Sequence, residues 1–203
     1  AHLSERGKLD SKTAAHIDEI ANNINPEEVY AEEEKTQHNI RALVNVLKTK
    51  FTAEIKPLVH LGATSVDILD TALSMRMRDV TKYAVLPELK TLEKELCAVA
   101  EREAETPQVG RTHGQHAVPI TFGWSIAEFV SRLGKSIIRI EELSNQLKGK
   151  LAGPVGAYNG TGMIVKNPEE LEKRYLEFLK LEPSEYSNQL VEPEYLLRLL
   201  LEF

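Results

Sequence analysis

Residues 110–123 read GRTHGQHAVPITFG, and this stretch decides the fold because long helix-period segments lie on both sides of it. Gly110, Gly114, Gly123 and Pro119 interrupt regular helix, so the segment is expected to be a tight loop. Arg111, Thr112, His113, Gln115, His116 and Thr121 crowd it with polar groups. A rigid loop of convergent polar groups is a common seat of chemistry, and a solvated connector is the plain alternative.

On the carboxyl side, Ile126, Val130, Leu133, Ile137, Ile140, Leu147 and Leu151 fall mainly at alternating four- and three-residue steps. That spacing is close to a 3.5-residue period and predicts one long helix with an apolar seam. On the amino side, Val66, Leu69, Leu73, Met77, Val80 and Ala84 form a comparable stripe. Pro87 should bend that helix or begin a new one, after which Leu89, Leu92, Leu96 and Val99 resume the pattern. Long seams need long partners, so the expectation is an all-α helical bundle.

Farther out, Ala14, Ile17, Ile20, Ala21 and Ile24 mark an amphipathic helix. Asn25-Pro26-Glu27-Glu28 then supplies a cap, Pro at the first helical position and acids in the first turn. The helix begun there is expected to continue through Ile40, Leu43, Val44 and Leu47 to about Phe51. Pro168 to Leu181 reads as a short amphipathic helix, and no strand-period segment of length is expected. We divide the chain into the end of a small amino-terminal helical domain, 1–63, and an incomplete central helical-bundle domain, 64–203.

Acids outnumber bases by 31 to 25, a formal net charge of -6, which gives no global basic field for nucleic acid or anionic lipid. An anionic ligand therefore needs a local site. The lone Cys97 excludes an internal disulfide framework and, at an apolar helical position, reads as buried filler. No apolar run reaches the roughly 20 residues of a membrane span, and the opening AHLSERGKLD has no signal-peptide core. Cytoplasmic residence with no membrane partner is expected. The start lacks Met and LLRLLLEF stops inside a helical pattern, so an internal piece of a longer protein is expected.

Thr64 followed by Asp67 has the spacing of a capping box opening a helix, and free N–H groups there attract carboxylate or phosphate. With His60 the stretch HLGATSVD resembles the H-x-G-x-T-S-x-D signature of the adenylosuccinate lyases, a family of the fumarase/aspartase superfamily. Residues 110–123 resemble the histidine loop of that superfamily. Thr36-Gln37-His38-Asn39 resembles its T-x-H-D element, with Asn39 where Asp is usual, and 153–162 resembles the G-A-V-G-x-Y-N loop. Tyr186 to Pro193 is similar to a substrate-contacting stretch, although Glu194-Tyr195 departs from the pattern that usually follows.

The resemblance implies a fumarase/aspartase-type fold and elimination of fumarate from adenylosuccinate and from the succinyl-carboxamide intermediate of purine synthesis. It implies His113 as general acid, with Thr112 beside it. It further implies Gln37, His38, Asn39 and His60 near the phosphate-bearing end, Thr64, Ser65 and Asp67 on substrate polar groups, and Gln189 on the succinyl part. His116 and Arg111 are secondary candidates, and Arg111 equally suits anchoring the loop. No metal or organic cofactor is implied, and a homotetramer is. The family's serine loop, S-S-x-M-P-x-K-x-N, which supplies the general base, and its amino-terminal Arg-Tyr element do not occur in these residues. Two alternatives stand beside this reading: a carboxymuconate cycloisomerase-type enzyme of the same superfamily, and a catalytically silent helical scaffold.

Overall fold

The computed structural model describes residues 11–203, with side chains from residue 15 onward. The Ala1–Asp10 stretch and the side chain of Ala14 lie outside the described residues. Helices dominate, as the periodicity predicts, and the chain divides into two compact units: 1–73 with 148–192, and 74–147 with 193–203.

In the first unit, helices α1 (Ser11–Asn22), α2 (Pro26–Thr36) and α3 (Asn39–Lys50) precede a single 3-10 turn, Lys56–Leu58. The Asn25 side chain caps α2 by accepting from the Glu27 N–H, and Pro26 opens it. The expected continuous helix to Phe51 is instead two helices. Gln37 takes a left-handed φ of 51° and ends α2. His38 turns extended and its Nδ1 accepts from the Arg41 N–H, capping α3. A histidine imidazole thus does the work usually done by Ser or Asp, which the apolar stripe alone could not reveal. Ile40, Ala42, Val44 and Val46 of α3 are buried.

Helix α4 (Ser65–Val80) begins in the first unit and ends in the second. A π turn, Thr81–Val85, joins it to α5 (Leu86–Arg102). Pro87 has no N–H to give the carbonyl four residues back, and the Leu86 N–H reaches Thr81 instead. The ladder widens there rather than breaking.

The second unit corrects the expected loop. Residues 107–112 and 115–121 are antiparallel strands, β1 (Pro107–Thr112) and β2 (Gln115–Thr121), joined by His113-Gly114. Both turn residues have positive φ, 52° and 74°, the requirement of the type I′ turn that matches strand twist. The register shifts between Val109 and Arg111, a bulge at Gly110, where a Cβ would stand 2.7 Å from the Val118 carbonyl oxygen. Glycines read as helix breakers therefore serve a hairpin.

Helix α6 (Phe122–Asn145) returns along α5 over about 36 Å at 1.5 Å per residue. Thr121 caps it by accepting from the Trp124 N–H. Ile137, Ile140, Leu143 and Leu147 are buried in the seam. Cys97 is half-buried rather than fully packed. Beyond β3 (Lys148–Gly149), the first unit resumes with α7 (Asn159–Gly162), α8 (Pro168–Phe178) and β4 (Glu182–Pro183), which pairs parallel to β3. Helix α9 (Pro193–Glu202) packs on α6 in the second unit. No helix among the described residues is long and apolar enough to cross a membrane.

The hairpin base is fixed by close approach, since a Cβ on Gly123 would lie 2.3 Å from the Ala100 carbonyl oxygen and 2.8 Å from Ala104 Cα. A Gly123→Ala variant should lose about 1–3 kcal/mol in denaturant unfolding, the usual cost of overpacking. An unchanged midpoint would mean that α5 and α6 are not held this closely.

Candidate anion-binding site

Thr36, His38, Ile40, Arg41, Val44, His60, Ala63, Thr64 and Ser65 line a concavity of about 480 Å³ in the first unit. The amino ends of α3 and α4 both contribute to its wall, so the N–H ends of two helix dipoles add positive potential there. No carboxylate lines it. His38 Nδ1 accepts from backbone, so the neutral ring carries its proton on Nε2 as a donor.

His60 sits in a left-handed turn, φ 64°, just before Gly62 at 76°. Its Nε2 is buried without a hydrogen-bond partner among the described residues. Burial, then the positive charge of Arg41, push its pKa below the usual histidine value, against a smaller opposing pull from Asp67. Of the five non-glycine residues with positive φ among the described residues, Gln37, His60, His113 and Tyr158 fall in the stretches singled out from sequence. Such conformations persist only where their surroundings hold them, which makes their location informative.

What holds this wall is a buried network. Lys150 Nζ donates to Asp67 Oδ1 at 2.5 Å, with both side chains fully buried. Asp67 Oδ2 also accepts from the Thr64 N–H at 2.8 Å and the Gly153 N–H at 3.2 Å, and Lys150 Nζ donates to the Gly153 carbonyl. The Thr64–Asp67 contact is the backward arm of a capping box. Thr71 Oγ and the Lys150 backbone exchange two further hydrogen bonds. Glu172 accepts from the Leu151 N–H and from the Tyr158 hydroxyl, both at 2.6 Å. Burial first, and then Glu172, raise the Tyr158 pKa well above the usual phenol value.

Placed against the sequence reading, His38, His60, Thr64 and Ser65 come together. Asp67 does not line the concavity: three donors occupy its buried carboxylate, which supports the wall from behind. Gln37 faces another depression with Tyr30, Glu33 and Glu34, donating to the Glu34 carbonyl, because its left-handed backbone turns it away. The Asn39 side chain accepts from the Ile40 N–H on the first turn of α3 and is absent from the lining. Gln189 is exposed in a loop tied down by the Val191 N–H to Asp70, while Gly156 packs against Ser187 so closely that no Cβ fits. Thr112, His113 and His116 are exposed on the hairpin of the second unit, with Arg111 paired across the ladder from His116.

Lys150, Glu172 and Arg41 were not among the residues read from sequence. Lysine beside glycines reads as a solvated loop, and its partner lies 83 residues away. Only Arg41 carried a usable signal, standing one helical turn after His38.

An NMR titration should find the His60 ring protonating below the ordinary value of about 6.5. Because the folded pKa is depressed, the unfolded chain binds the extra proton first. His60 therefore disfavours folding progressively as pH falls from the unfolded value through the folded one. A midpoint at or above 6.5 would contradict the burial and the Arg41 field described.

The model of the family described as Lyase matches residues 5–198. The chain is 35% identical over 189 residues to adenylosuccinate lyase of Pyrococcus abyssi, covering 92% of this chain and 41% of that protein. Its structure is similar to a fumarate lyase from Mesorhizobium sp. BNC1, with TM-score 0.79 and 27% identity over 91% of this chain and 43% of the other. It is also similar to a 3-carboxy-cis,cis-muconate lactonizing enzyme from Pseudomonas putida, with TM-score 0.69 and 29% identity over 82% and 38%. The chain thus spans about two fifths of the curated relative's length. Fold, ordered motifs and matched length agree, and the chain belongs to the lyase family of the fumarase/aspartase superfamily.

Proposed function

We propose that the protein carrying this chain eliminates fumarate from adenylosuccinate, giving AMP, and from the corresponding succinyl-aminoimidazole-carboxamide ribotide. The observation that carries the reading is the concavity in which His38, His60, Thr64 and Ser65 meet two helix amino ends with no carboxylate in the lining. Such a lining suits the phosphate and carboxylates of a multiply anionic substrate. Similarity to adenylosuccinate lyase over most of the chain supports that substrate class.

In this mechanism a base removes a proton from the carbon beside a succinyl carboxylate. The C–N bond breaks, its electron pair leaves with nitrogen, and His113 protonates that nitrogen as fumarate forms. Thr112 steadies the acid, His38 and His60 hold the phosphate-bearing end, Thr64 and Ser65 hold substrate oxygens, and Gln189 contacts the succinyl part. The base comes from chain outside these 203 residues.

The working form is a homotetramer assembled through the long helices. Trp124, Phe129 and Ile138 of α6 and Leu197, Leu200 and Leu201 of α9 are exposed, and a groove of about 730 Å³ runs between Leu89, Leu96, Phe129 and Phe203. That much open apolar surface suits a covering chain. A cytoplasmic location goes with this reading. The likeness to the lactonizing enzyme favours a second one, cycloisomerisation of a carboxymuconate on the same fold.

Fumarate release from adenylosuccinate by the full-length protein, compared with its His113→Ala variant, tests the primary reading. We expect turnover by the wild type and a loss of about 10²-fold or more in the variant, the usual range for a general acid. Equal activity would remove His113 from the chemistry. Activity in neither, with turnover of carboxymuconate, would transfer the site to the second reading.

A further inference from the structure

We infer that Arg41 is a specificity-determining residue, its guanidinium taking an anionic oxygen group of the substrate inside the concavity it shares with His38 and His60. The inference rests on the site reading above and adds a cation that the family resemblance did not assign. Arg41 lies on the first turn of α3 and lines the concavity beside the capping imidazole of His38. Its side chain is exposed, and no ion pair among the described residues uses it. Apart from Arg41, the lining side chains are hydroxyls, imidazoles and apolar groups. A guanidinium so placed has its forked donors available for a carboxylate or phosphate.

Two further observations point to an occupant of that charge. His60 Nε2 is buried in the same site without a partner. Asn39 stands where the resembling motif has Asp, so no acid next to His38 offsets Arg41. In a chain of net charge -6, this is a local positive site suited to an anion. An exposed arginine that served only solubility would leave ligand binding unmoved by its removal.

The test is calorimetric titration of the full-length protein at low ionic strength with inorganic phosphate and, separately, succinate, using wild type, Arg41→Gln and Arg41→Lys. The wild type should bind at least one anion. Arg41→Gln should weaken that binding at least tenfold, a typical loss for a charge-assisted hydrogen bond, and Arg41→Lys should recover part of it. Selective loss of phosphate would assign Arg41 to the phosphate-bearing end, and selective loss of succinate would assign it to a carboxylate; both support the inference. Anion binding equal in Arg41→Gln and wild type, or absent from the wild type, would overturn it. Adenylosuccinate turnover by the wild type, measured alongside, separates the two readings. Turnover with no effect of Arg41→Gln on anion binding sinks only the Arg41 role. Altered anion binding without turnover sinks only the substrate assignment.

Discussion

A lysine ammonium and an aspartate carboxylate, both withdrawn from water, join segments of the first unit that are remote in sequence. Asp67 belongs to the first turn of α4, and Lys150 to the chain returning after α6. Burying two charges is expensive, and a buried pair is tolerable only when further hydrogen bonds satisfy both partners. Here the Thr64 and Gly153 N–H groups donate to Asp67 and Lys150 Nζ donates to the Gly153 carbonyl, while Thr71 Oγ holds the Lys150 backbone. The same bonds set the Thr64-Ser65 end of α4 and the glycine-rich loop. Gly62 and Gly160 then approach so closely that a Cβ on Gly160 would stand 3.0 Å from Gly62 Cα. The His60 turn is therefore held from below by an electrostatic clamp and from the side by backbone contact.

This arrangement leaves a chain of net charge -6 with a concavity that no carboxylate lines. Three acids of the first unit are held by hydrogen bonds or an ion pair: Asp67 by Lys150, Glu172 by Tyr158 and the Leu151 N–H, Asp70 by the Val191 N–H. The polar side chains that line the cavity are hydroxyls, imidazoles and Arg41, beside apolar Ile40, Val44 and Ala63. Charge is sorted by burial rather than by overall composition. The His113 hairpin follows a different physical rule, in which exposed donors are presented on a two-residue turn whose backbone signs are fixed by geometry rather than by packing.

The long helices were legible because their seams repeat at 3.5 residues, and the capping box at Thr64 was legible because its spacing is local. The hairpin was not. Gly110, Gly114 and Pro119 are also loop signals, and only the register shift at Gly110 and the paired positive φ of His113 and Gly114 distinguish strands from irregular chain. The break at Gln37-His38 was hidden for a related reason, since the apolar stripe continues through it while an imidazole caps the second helix. Lys150 and Glu172 were illegible in principle, because nothing near either residue encodes a partner 83 or 14 positions away. Asp67 shows the converse, a position singled out by its local spacing whose carboxylate pairs with Lys150 and does not line the concavity.

The Asp67–Lys150 pair ties the Thr64-Ser65 end of α4, which lines the His38–His60 concavity, to the glycine-rich loop. Denaturant unfolding of the wild type, Lys150→Met, Asp67→Asn and the double variant measures that tie directly. Lys150→Met should cost about 3–5 kcal/mol, because an uncompensated carboxylate stays buried, and the double variant should cost clearly less than the sum of the singles. A Lys150→Met protein unfolding at the wild-type denaturant concentration would contradict it.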